Sequence, residues 1–140
     1  MTDDPVCLAQ YLEHLTARLR AQSRKLQAPF PECVREMNPH AALAVAIEAL
    51  EKVNSPNLIQ AVGDGLVQDL LNEHASLLGA EVADLLRTNQ RFRFAFACGS
   101  HASVDPAIIN EWVEILRDLG TTKQAERKRL WSARGGLREA

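Results

Sequence analysis

Asp105-Pro-Ala-Ile-Ile-Asn-Glu-Trp-Val-Glu-Ile-Leu-Arg-Asp-Leu-Gly120 is the stretch on which the fold turns. Its first two residues place a side-chain acceptor at a helix cap and a proline at the first helical position, where the absent N–H has no intrahelical partner to lose. Ile108, Ile109, Trp112, Val113, Ile115, Leu116 and Leu119 then recur at helical spacing and make one side apolar. Gly120 closes the pattern with the residue that best tolerates the left-handed conformation found at helix ends. The stretch predicts an amphipathic helix that must be covered by other elements.

The same punctuation occurs three times upstream. Asp3-Asp4-Pro5 opens a helix over residues 4–27 with Leu8, Tyr11, Leu12, Leu15, Leu19 and Leu26 on one side, and Ala28-Pro-Phe-Pro31 turns the chain. After a short helical turn around Cys33 to Met37, Asn38-Pro39 opens a helix carrying Leu43, Ala46, Ile47, Leu50 and Val53. Ser55-Pro56 starts a short helix that Gly63-Asp64-Gly65 is expected to end, because glycine and aspartate accept left-handed angles. Leu66, Val67, Leu70, Leu71 and His74 form the next helical face, and Gly79 is expected to separate it from Val82, Leu85 and Leu86. Thr88-Asn89 caps a helix anchored by Phe92 and Phe96, and Thr121 with Gln124 resembles a capping box for a last helix ending near Trp131.

With only four Phe, two Trp and one Tyr, strand formers are thin. The expectation is an all-α fold, a compact bundle or short stack of about seven to eight mostly short antiparallel helices. Residues 1–133 form a single domain in this reading and residues 134–140 a flexible C-terminal tail. The spacing of the four proline starts is too irregular for a repeat array.

The chain has 140 residues, 46% of them apolar and 24% charged, which suits one globular domain rather than a disordered segment. No apolar run approaches the roughly 18–20 residues of a membrane span, and Met1-Thr-Asp-Asp-Pro5 is acidic where a signal peptide is basic. Cys7, Cys33 and Cys98 are odd in number and unpatterned, as in a reducing compartment, so the expected location is the cytoplasm.

Gly63-Asp-Gly65-Leu-Val-Gln-Asp69-Leu-Leu71, then His74-Ala75, then Asn89-Gln-Arg-Phe92-Arg93 stand in a recognisable order. Over about residues 43–98 this resembles a family of small bacterial helical proteins classed as a domain of unknown function. Its pattern is Gly-x-Gly-Pro-Leu-Glu-Asp-Leu-Leu, His-Gly and Asp-Pro-x-Phe-Arg. Leu66 stands for the family's proline, Gln68 for its glutamate, Ala75 for the glycine of its His-Gly and Asn89-Gln90 for its Asp-Pro. The resemblance implies a helical fold and no activity.

Local chemistry is sparse. Cys98-Gly-Ser-His101 is the most enzyme-like string, a thiol with a base nearby, although a cysteine following Phe94 and Phe96 more naturally packs as a small apolar group. His14, His40, His74 and His101 are isolated, and the chain has neither Cys-x-x-Cys nor His-Glu-x-x-His, so no metal and no cofactor are expected. Asp69 and Glu73 read as outward carboxylates one turn apart, and His74 as a cap or a hydrogen-bonding residue at the core edge.

Charge is more informative. Residues 1–120 carry 10 basic and 16 acidic side chains, and residues 121–140 carry 6 basic and 2 acidic. Between Glu36 and Asp84 eight acids face only Lys52, which predicts a negative surface. The leading expectation is a non-catalytic bacterial interaction domain, an immunity or antitoxin-like inhibitor that binds a basic toxin or effector. Its partner-binding residues would be Glu48, Glu51, Asp64, Asp69, Glu73, Glu81 and Asp84. The alternative is a nucleic-acid-binding regulator using Lys123, Arg127, Lys128, Arg129 and Trp131. A third is a cysteine enzyme built on Cys98. The stripe Ile108, Ile109, Trp112 and Leu116 serves a core or a homodimer equally well, leaving monomer and dimer both open.

Overall fold

In the computed structural model, residues 8–13, 37–53, 55–122 and 126 are described. The described residues form helices and no strand, as an all-α fold requires. Residues 8–13 are helical and bring Leu8 and Tyr11 into the core. Five further helices come after them: α1 Pro39–Lys52, α2 Pro56–Val62, α3 Gln68–Thr88, α4 Gln90–Cys98 and α5 Pro106–Asp118. The Asp3-Asp4-Pro5 start, the Ala28–Pro31 turn, the turn expected around Cys33 except for Met37, the last helix expected to end near Trp131 except for Glu126, and the tail at 134–140 lie outside the described residues.

Side-chain caps set the helix starts. Asn38 Oδ1 accepts from the Ala41 amide at 2.9 Å, Ser55 Oγ from Asn57 at 3.2 Å and Asp105 Oδ1 from Ala107 at 2.8 Å, each ahead of its proline. Asn89 Oδ1 accepts from Phe92 at 3.0 Å and starts α4 in the same way. These bonds satisfy amides that have no partner inside the helix. Gly120, at φ 65°, stands just past α5 as anticipated.

The expected break at Gly79 is not there, and Gly63-Asp64-Gly65 ends α2 without left-handed angles, so the described residues hold five complete helices. Gly63 is right-handed, at φ −66° and ψ −48°, and the chain runs helically from Pro56 to Thr88. Residues Gly63–Val67 form a π-helical turn that joins α2 to α3. Gly63 answers to packing instead of backbone angle. A Cβ there would lie 2.1 Å from the carbonyl oxygen of Ala95 on α4, far inside van der Waals contact. Gly79 is an interior residue of α3, which departs from helical angles at His74 instead, with φ −132° and ψ 26°.

α3 is the central element, in contact with α1, the π turn, α4 and α5. Leu43 and Leu50 from α1, Ile59 from α2, Leu71, Leu78 and Leu86 from α3, Phe92 and Phe94 from α4, and Trp112 from α5 are fully buried around it. The Trp112 indole N–H donates to the Gly79 carbonyl at 3.3 Å, and its ring meets the edge of Phe96 at 5.9 Å. The buried indole thus packs without an unmet donor. Among the described residues no helix is long and apolar enough to cross a membrane.

The two α-region glycines predict opposite substitutions. Gly63→Ala forces backbone against backbone and is expected to destabilise the fold by about 3 kcal/mol or more. At Gly79 a Cβ meets nothing within 4 Å. Gly79→Ala is therefore expected to stabilise by about 0.5–1 kcal/mol through the helix-interior preference for alanine. Urea-denaturation midpoints of the two variants against the parent check both signs.

Candidate functional site: an acidic helix face and an inward arginine pair

The acidic residues separate into two groups. Glu48 and Glu51 project from the exposed side of α1, with Glu81 and Asp84 on the exposed side of α3. His40 at the head of α1 meets the Glu81 carboxylate and links the two helices there. Asp69 and Glu73 are exposed on α3 before its irregularity at His74, whereas Asp64 is half-buried in the π turn. The structure thus keeps six of the seven sequence-predicted contact residues at the surface and draws Asp64 inward.

The nearby cations show a pattern that the sequence reading missed. Arg91 Nη1 donates to the carbonyls of Leu50 at 2.5 Å, Val53 at 2.6 Å and Glu51 at 3.3 Å, closing the C-terminus of α1. Arg93 does the same for α3, its Nη1 donating to Leu86 at 3.2 Å and Arg87 at 3.4 Å. A guanidinium at a helix C-terminus satisfies orphan carbonyls and complements the negative end of the helix dipole. Arg93 Nε also bonds Glu126 Oε1 at 3.0 Å, and Glu126 is 1% exposed and takes a further hydrogen bond from the Thr121 hydroxyl. Alternation of Arg with Phe in Gln90-Arg-Phe-Arg-Phe was the available signal, since α4 begins immediately after α3 ends.

Both arginines are thereby half-buried, whereas Glu48, Glu51, Glu81 and Asp84 are exposed. Glu48, Glu51 and Asp84 have no ion-pair partner among the described residues, while Lys52 and Arg87 remain exposed beside them. The basic candidates Lys123, Arg127, Lys128, Arg129 and Trp131 lie outside the described residues.

Cys98 is a thiol half-buried against the core. His101 does not stand as an open base beside it. Its Nε2–H donates to the Phe96 carbonyl at 2.7 Å, and its ring stacks on Phe96 at 4.2 Å and 14°. Burial pushes the His101 pKa below its ordinary 6.5, and the Phe96 hydrogen bond offsets only part of that. His74, expected at the core edge, is partly exposed, with Nε2 at 3.7 Å from the Glu73 carboxylate. No three His, Cys, Asp or Glu side chains converge on a metal-sized site among the described residues.

The α5 stripe is committed mainly to the core. Trp112 and Ile115 are buried on α3, Ile108, Ile109 and Leu116 are half-buried, and only Val113 and Leu119 stand exposed. Leu77 of α3 is the most exposed large apolar residue described, at 55%.

No family model matches the chain, and neither a curated protein nor a solved structure matches it significantly.

The inward arginines generate a graded prediction. Arg93→Met removes the cationic partner of the buried Glu126 carboxylate and is expected to lower stability by about 3–5 kcal/mol. Arg91→Met removes hydrogen bonds to neutral carbonyls and is expected to cost about 1.5–3 kcal/mol. Chemical denaturation of both variants should rank Arg93→Met as the more damaging.

Proposed function

We propose that this chain is a non-catalytic protein–protein interaction domain whose α1/α3 face receives a basic partner. The role is that of a bacterial immunity or antitoxin-like inhibitor that covers a toxin or effector. The observation that carries the proposal is that Glu48, Glu51 and Asp84 are exposed with no ion-pair partner among the described residues, while Arg91 and Arg93 are bonded to main-chain carbonyls and Glu126. Carboxylates concentrated on packed helices set up a negative potential that steers a cationic surface and suppresses acidic competitors. Glu81 and, earlier on α3, Asp69 and Glu73 are exposed as well and belong to the proposed contact set, with Asp64 half-buried in the π turn.

Cytoplasmic residence and membership of the small bacterial helical family belong to the same proposal. The basic segment holding Lys123, Arg127, Lys128, Arg129 and Trp131 supplies the competing nucleic-acid reading.

The proposal is tested by affinity capture from the native host and then stopped-flow binding to the captured protein. The quadruple variant Glu48→Lys, Glu51→Lys, Glu81→Lys, Asp84→Lys should keep the helical circular-dichroism signal. It is expected to slow association at least about tenfold at low salt, with the difference narrowing as salt screens the charges. Equal association rates for parent and variant would remove the acidic face from the interface. Nuclease-sensitive co-purifying nucleic acid, lost on charge reversal of residues 123–129, would transfer the assignment to the competing reading.

A further inference from the structure

The connection between α4 and α5 is held in place by two side chains of α3. Gln68 Oε1 accepts from the Ser100 amide at 2.8 Å, Asn72 Nδ2 donates to the Ser100 carbonyl at 2.9 Å, and Asn72 Oδ1 accepts from the Ser103 amide at 3.1 Å. Val104 is buried, its amide donating to the His101 carbonyl at 3.1 Å, and Asp105 then caps α5. Between these anchors lies His101, stacked on Phe96 and bonded to the Phe96 carbonyl. A carbonyl oxygen only accepts, so Nε2 carries the proton and Nδ1 presents a lone pair. That Nδ1 is buried and has no hydrogen-bond partner among the described residues.

We propose that the 99–105 connection is an acid-released latch in which His101 is the pin. A proton added at Nδ1 creates a charged, buried N–H with no acceptor, and a buried donor left unmet costs more when charged. The ring relieves this by leaving its place. Departure breaks the stack on Phe96 and the bond to its carbonyl, and it loosens the turn that seats Val104 and positions the Asp105 cap. The surrounding elements carry the ionisable groups Asp64 on the π turn, Asp69, Glu73, His74, Glu81, Asp84 and Arg87 on α3, Arg91, Arg93 and Cys98 on α4, and Asp105, Glu111, Glu114, Arg117 and Asp118 at and along α5. His101 makes no hydrogen bond to any of them, and its protonation answers to burial and to the Phe96 carbonyl alone.

Linkage sets the sign. The docked ring holds a proton less readily than the released ring, so release takes up a proton once pH falls below the ordinary 6.5. The docked state is therefore at full strength above that value and weakens with acid. Glutamate and aspartate side chains of ordinary pKa, about 3.9–4.3, titrate lower.

The test is hydrogen exchange on the full chain from about pH 7 to pH 5, with rates corrected for intrinsic exchange, alongside an NMR titration of the His101 ring protons. Protection of the amides of residues 101–108 is expected to fall up to about tenfold per pH unit below 6.5. Protection in α1 should stay level. The ring should titrate below 6.5, and His101→Phe should flatten the loop response, whereas His40→Asn and His74→Asn should leave it intact. A level loop profile in the parent, an unchanged slope in His101→Phe, or a ring titrating at or above its ordinary value would each overturn the latch. The parent measurements decide the matter even if His101→Phe fails to fold.

Discussion

Gly63 and Ala95 meet backbone to backbone, and the arrangement of the central helices depends on that meeting. With a Cβ at Gly63 placed 2.1 Å from the Ala95 oxygen, only glycine lets the π turn and α4 come this close. Gly99 belongs to the same crossing, since a Cβ there would stand 2.7 Å from the Gly63 oxygen and 3.3 Å from Gln68 Cβ. The close crossing brings α4 into the core, where Phe92, Phe94 and Phe96 are buried, and carries the α4–α5 connection over the first turns of α3. The π-helical turn fits this role. An extra residue in a helical turn shifts the register of the residues beyond it, here at the point of closest helix contact.

Once α4 is seated, its polar side chains decide how two other helices end. Arg91 and Arg93 flank Phe92 and reach the C-termini of α1 and α3 respectively. A nine-residue helix therefore buries aromatics on one side and closes two carbonyl ends on others. Arg93 also holds Glu126, which fastens the start of the basic C-terminal segment to the helical body. These bonds join regions distant in sequence, so they act through the tertiary fold and not through local propensity.

The electrostatic character of the surface arises from the same commitments. Arg91 and Arg93, half-buried and bonded to main-chain carbonyls, close helix ends, and the carboxylates Glu48, Glu51, Glu81 and Asp84 of α1 and α3 face solvent. The polar side chains of the α4–α5 connection are similarly engaged, with Gln68 and Asn72 bonded to backbone at residues 100 and 103 and His101 bonded to Phe96. The Cys98–His101 string, which looks reactive in one dimension, is in three dimensions a thiol at the core edge and an imidazole turned to a carbonyl.

By itself the sequence determined the helical class, the cap-and-proline starts at Asn38, Ser55 and Asp105, the Asn89 cap, and the amphipathic helix ending before Gly120. Those features rest on neighbours one to four residues apart, where periodicity and capping chemistry are written directly. The exposed positions of Glu48, Glu51, Asp69, Glu73, Glu81 and Asp84 were legible for the same reason. Only the tertiary structure decided that Gly63 is a contact and not a left-handed stop, that Gly79 sits inside a helix, and that Arg91 and Arg93 point inward. A glycine at a turn and a glycine at a helix crossing are the same letter. Which of the two it is depends on whether another backbone arrives, and Ala95 arrives from 32 residues away along the chain.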